Sequence, residues 1–105
     1  MSTSTLEGAL VVAAVGTVDL RTASCLSDAV VDAVNRRPAT LVVDLTGVDF
    51  LAAAGLHVLL GARRAAGEHT RLRVVASGAA LRTITLTASD EVLAVYPTLA
   101  DATES

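Results

Sequence analysis

Few side chains in this sequence could perform chemistry, and their spacing speaks against most of it. His57 and His69 lie twelve residues apart with no cysteine or paired carboxylate near them in sequence, which does not match the ligand spacing of a zinc site. Gly-x-Ser-x-Gly, Gly-x-x-x-x-Gly-Lys and Gly-x-Gly-x-x-Gly are all absent, and the chain has no lysine. A Ser/His/Asp set could be assembled only by folding accident. Cys25 is the single cysteine, so no internal disulfide forms. With no cationic neighbour in sequence to lower its pKa, Cys25 reads as a small helix residue. No catalytic residue, metal or other cofactor is therefore expected.

What remains is a place suited to binding. The stretch Val48 to Val58, VDFLAAAGLHV, reads as the end of a buried strand, a tight connection and a helix starting at Ala54 or Gly55. Backbone N–H groups point outward unpaired at a helix start. Ser, Thr, Asp or Asn normally accepts one of them, contributing about 0.5–2 kcal/mol over Ala. Here three alanines, Ala52, Ala53 and Ala54, occupy the junction. Small residues let a connection pack closely, yet a local rule broken in a well-patterned segment also marks where function should be sought. Asp19 follows Gly16-Thr17-Val18 at the end of another buried strand. If the two strands are parallel, it lies on the same edge, as a turn or capping carboxylate or as a partner contact.

The elements that position these residues follow from the apolar pattern. Leu10 to Val15 is an unbroken apolar run, Leu41 to Leu45 nearly one, and Leu72 to Ala76 is interrupted only by Arg73. Such runs suit strands covered on both faces. Leu26, Val30 and Val34 recur at helical spacing, with Thr22 a plausible N-cap and a stop at Asn35 before Pro38. Leu56, Leu59, Leu60 and Arg63 fit a second helix ending at Gly67. Ala79 to Leu86 predicts a third helix, Val92 to Tyr96 a short strand halted by Pro97, and Thr98 to Ala102 a last helical turn. The first few residues and Thr103 to Ser105 are expected to fray. Alternating strands and helices predict an α/β fold with a partly parallel sheet, in one domain spanning residues 1–105.

Composition removes further classes of function. Hydrophobic residues make up 52% and aromatics 2%, so Val, Leu and Ala must build the core, with Phe50 and Tyr96 the only rings. Recognition of bases by stacking is thereby disfavoured. The net charge is −3 and the arginines are spread singly or in pairs, which leaves no footprint for nucleic acid or an anionic membrane. The apolar runs fall well short of the roughly 20 residues that span a bilayer. Met1 to Glu7 has no basic start and no apolar core of a secretory signal, so a reduced, cytoplasmic setting is expected.

Taken together, these residues carry a family resemblance. Gly16-Thr17-Val18-Asp19 resembles the Gly-x-x-Asp of the STAS domain, as found in anti-sigma-factor antagonists. Leu45 to Leu51, LTGVDFL, followed by Ala52-Ala53-Ala54-Gly55-Leu56, is similar to that family's central motif, which usually ends Asp-Ser-Ser-Gly-Leu. Tyr96-Pro97 agrees as well, so the resemblance covers nearly the whole chain. A Gly-Leu that often follows the family's third helix is replaced by Ala88-Ser89.

The resemblance implies a STAS-like α/β domain with a mixed sheet, acting as a binding switch and not as an enzyme. In similar proteins the serine before Gly-Leu is phosphorylated by a partner that is both an anti-sigma factor and a kinase with a histidine-kinase-like ATPase fold. Phosphate brings about −1.5 to −2 charge into the contact surface and expels that partner. The matching position is Ala54, which has no hydroxyl, and Ala52 stands where an acidic residue is usual. Either the switch is lost, or control has moved to another hydroxyl such as Thr46 or Ser24. The partner surface is expected on Asp19, Ala52, Ala53, Ala54, Gly55, Leu56 and His57. Two other roles use the same fold: a cytoplasmic subunit of a lipid or anion transporter, and a small-ligand sensor with an anion at the helix start.

Overall fold

The apolar runs Leu10 to Val15 and Leu41 to Leu45 become two adjacent inner strands of a five-stranded sheet. The computed structural model describes residues 1–104, with elements in the order β1 (Ser2–Leu6), β2 (Ala9–Val18), α1 (Ala23–Asn35), β3 (Thr40–Leu51), α2 (Ala53–Ala66), β4 (Arg71–Val75), α3 (Gly78–Leu86), a 3-10 turn (Ser89–Glu91), β5 (Ala94–Tyr96) and α4 (Leu99–Glu104). The strands lie side by side in chain order. β2 to β5 are parallel, and β1 is antiparallel to β2.

Both faces of the sheet are covered, which is why its strands read as continuous apolar runs and not as alternation. Val12, Val43 and Val74 point into the main core, where Leu26 and Val30 of α1, Leu59 of α2 and Ile84 of α3 pack on them. Their neighbours Val11, Val42 and Val75 point the other way, against Leu99 and Ala102 of α4. Arg73 also lies on that second face and is buried. Its Nη1 donates to the Ala102 carbonyl at 2.6 Å, and its guanidinium carbon sits 5.8 Å from the centre of the Tyr96 ring. A cation at the carbonyl end of a helix is favourably placed, so Arg73 fastens α4 to the sheet.

Several boundaries differ from the sequence expectation, each for a local reason. Residues 2–6, expected to fray, form the edge strand β1. Its side chains are exposed throughout, so it carries no apolar period that would reveal it. The strand is held by a two-residue turn in which Glu7 and Gly8 both take positive φ, 51° and 85°, the geometry that a tight hairpin demands. β3 runs on past Leu45 to Leu51, pairing with residues 15–18 of β2 through register shifts between Ala13 and Val15 and between Gly16 and Thr17. The expected strand from Val92 shortens to Ala94–Tyr96, because the 3-10 turn takes up the residues just before it. The last helix continues through Glu104, so the fraying expected from Thr103 is corrected, while Ser105 lies outside the described residues. After α3, Ala88 occupies the left-handed region at φ 58°, which a glycine would enter without steric cost. The turn survives that substitution, with the Thr87 hydroxyl donating to the Thr83 carbonyl at 2.8 Å.

Candidate functional site

Because β2 and β3 are parallel and adjacent, their C-terminal ends bring residues 15–20 and 46–57 to one edge of the sheet. The join between them is direct. The Ala52 N–H donates to the Val18 carbonyl at 2.8 Å, and the Leu56 N–H to the Ala52 carbonyl at 3.1 Å. The helix therefore begins at Ala53, earlier than the Ala54 or Gly55 expected from sequence, with Ala52 as an extended N-cap at φ −83°, ψ 168°. No side chain caps it and its first turn has no acidic residue. The N–H groups of Ala53, Ala54 and Gly55 are thus left without intrahelical acceptors.

Gly55 explains how the junction is built. A Cβ placed there would lie 2.6 Å from Cγ1 of Val18 and 2.7 Å from Cδ1 of Leu51, closer than any side chain tolerates. Glycine lets the start of α2 sit directly on the ends of β2 and β3 without displacing either side chain. Gly55 and Leu56 are both buried, Leu56 at 6% exposure. Of the positions expected to form the contact surface, these two turn their side-chain space to the core. Ala53 and His57 are exposed, and Ala52, Ala54 and Asp19 are half-buried.

Asp19 organises the turn between β2 and α1. Its Oδ1 accepts from the backbone N–H groups of Arg21 at 2.9 Å and Thr22 at 3.1 Å. The Asp19 N–H donates to Oγ1 of Thr22 at 2.9 Å, and that hydroxyl donates to the Thr17 carbonyl at 2.8 Å. The donated Thr22 and Arg21 N–H groups hold the Asp19 carboxyl below its ordinary range. Thr22 does start α1 as expected, but its hydroxyl closes this turn and does not cap the helix.

Three apolar side chains that sequence reasoning missed are exposed along the same edge. Val15 is 72% exposed, Leu20 82% and Phe50 54%. Phe50 pairs with Thr17 across the ladder, and Val15 lies over Gly47, where a Cβ would come within 2.7 Å of its Cγ1. The signal that could have revealed them is a slipped alternation: after Leu45 the next buried positions are Val48 and Leu51, so Phe50 falls outside the core phase. Isolated exposed apolar residues are ordinary; these three are carried by the C-terminal ends of two adjacent strands and the turn after β2. The two alternative hydroxyls are also exposed. Oγ1 of Thr46 donates to Oδ1 of Asp44 at 2.8 Å, and Oγ of Ser24 to the Arg21 carbonyl at 3.3 Å. Among the described residues, no three His, Cys, Asp or Glu side chains gather as a metal site, and no helix is long and apolar enough to cross a membrane.

Comparison with known proteins agrees with this architecture. The anti-sigma-F factor antagonist RsfB of Mycobacterium tuberculosis is 35% identical over 97 residues, which cover 91% of this chain and 80% of that protein. The crystal structure of an anti-sigma factor antagonist from Mycobacterium paratuberculosis is 38% identical and superposes with a TM-score of 0.92, over 96% of this chain and 87% of that one. The anti-sigma factor antagonist SpoIIAA in its unphosphorylated form shares the fold at 12% identity and a TM-score of 0.71, over 95% of this chain and 90% of its own. The STAS domain model matches residues 1–102, and with these relatives it establishes that the chain belongs to the STAS-domain family.

Proposed function

We propose that this chain is an anti-sigma-factor antagonist whose binding surface cannot be switched off by phosphorylation at position 54. The observation that carries this reading is the uncapped start of α2, with Ala54 half-buried in its first turn at the strand ends that also carry the exposed Val15, Leu20 and Phe50. The relatives at 35% and 38% identity are named as anti-sigma factor antagonists. The contact surface is Asp19, Ala52, Ala53, Ala54 and His57, extended by the three apolar side chains. Gly55 and Leu56 support it from beneath. The partner is an anti-sigma factor with a histidine-kinase-like ATPase fold, met in the cytoplasm, and the role of this chain is binding without catalysis.

Thr46 is a poor substitute phosphoacceptor. Its hydroxyl is engaged by Asp44, and a phosphate there would face that carboxylate. Permanent binding competence is therefore favoured over control relocated to Thr46. The test is incubation with the cognate anti-sigma factor and ATP, followed by mass spectrometry and calorimetric titration. An unmodified chain with ATP-independent affinity is expected. Stoichiometric phosphate on Thr46 or Ser24 with loss of binding would refute permanent competence.

A further inference from the structure

At the far end of α2 from the proposed contact surface, the last helical turn and the starts of β4 and β5 surround a cavity of about 530 Å3. Arg63, Arg64 and Arg71 line it, together with the apolar Leu72 and Val92 and a single carboxylate, Glu68. Three of the eight basic residues of an acidic chain thus meet in one concavity. None of the three guanidinium groups has an ion pair or side-chain hydrogen bond among the described residues, where the one ion pair joins Arg36 to Asp32. The carbonyl end of α2 accounts for Arg63 and Arg64. It does not account for Arg71, which opens β4.

All three arginines are exposed to solvent at this concavity, with Glu68 the one carboxylate among its lining residues. A guanidinium offers a planar fork of donors that matches phosphate oxygens two at a time. We propose that this cavity binds a small phosphate-bearing molecule, with Arg63, Arg64 and Arg71 holding the phosphate and Leu72 and Val92 receiving an apolar portion. The volume lies within the range of small-molecule sites. The site shares no residue with the proposed contact surface and stands independently of it.

Pyrophosphate is a suitable probe, titrated into the whole protein at constant ionic strength and followed by proton–nitrogen NMR. Saturable shifts concentrated at residues 63–72 and 92–94 are expected. Arg71→Gln and Arg64→Gln should each weaken binding about tenfold, the equivalent of about 1.4 kcal/mol. Either variant serves if the other disturbs the start of β4. Glu68→Gln should tighten binding, while Arg82→Gln, an equal charge change on α3 away from the cavity, should leave it unchanged. Three results would each overturn the proposal: shifts that do not saturate, an Arg82→Gln effect as large as that of Arg71→Gln, or tighter binding of a polyglutamate peptide than of pyrophosphate.

Discussion

Truncating Leu20 to Ala should separate binding from folding. The Leu20 side chain is 82% exposed in the turn after β2, so little of its surface contributes to the core. Each carbon removed is worth about 0.8 kcal/mol if it passes from water into a contact. Cutting the isobutyl group to a methyl therefore leaves about 2 kcal/mol to be lost at an interface that fully covers it, and under about 0.5 kcal/mol in folding. The turn itself should persist, because Asp19 holds it through the backbone N–H groups of Arg21 and Thr22 and not through the Leu20 side chain. Affinity for the anti-sigma factor should fall about 30-fold, mainly through faster dissociation, with an unchanged urea midpoint. Isothermal titration and urea unfolding of the same preparation give both numbers. An affinity within twofold of the original would remove Leu20 from the interface, and a large loss of stability would show that its side chain packs on the folded domain.

Four further substitutions probe the junction and its supports. Ala54→Asp should weaken partner binding at least tenfold by adding charge to the contact surface, while the melting temperature holds or rises, since negative charge at a helix start is worth about 0.3–1 kcal/mol. Ala52→Ser supplies the missing cap at the extended position and should raise unfolding free energy by about 1 kcal/mol in urea titration; no gain would mean that the first-turn N–H groups are already satisfied. Gly55→Ala forces a Cβ against Val18 and Leu51 and should cost about 1–3 kcal/mol, visible as a lowered melting temperature. Ala88→Gly relieves a left-handed alanine and should gain up to about 1 kcal/mol; a loss would mean that the turn is not held there.

Much of the fold was legible because the core is built from repeated apolar periods. Leu26, Val30 and Val34 marked the buried stripe of α1, and Leu41 to Leu45 the two-sided burial of β3. β1 was not legible, since Ser2 to Leu6 is held by backbone pairing and a turn whose residues are Glu-Gly and not the commoner Asn-Gly or Asp-Gly. The central motif located the candidate site, but spacing alone could not divide it into faces. Gly55 turns inward because the start of α2 lies on Val18, a contact between segments far apart in the chain, as well as on the nearby Leu51. Phe50 turns outward because register shifts in the β2–β3 ladder break the strict alternation on which a strand reading depends.

The bond from Ala52 to Val18 and the close seat of Gly55 also bear on how a partner is met. The backbone carrying the proposed contact residues lies in β2, β3, α2 and the Asp19 turn, so little conformational freedom would be surrendered on association. A pre-organised surface avoids the ordering entropy that a flexible loop would forfeit. Docking should then proceed as a nearly rigid encounter, with backbone shifts of about 1 Å or less. Competition for the anti-sigma factor would be governed by the concentration of this chain and not by a change in its shape.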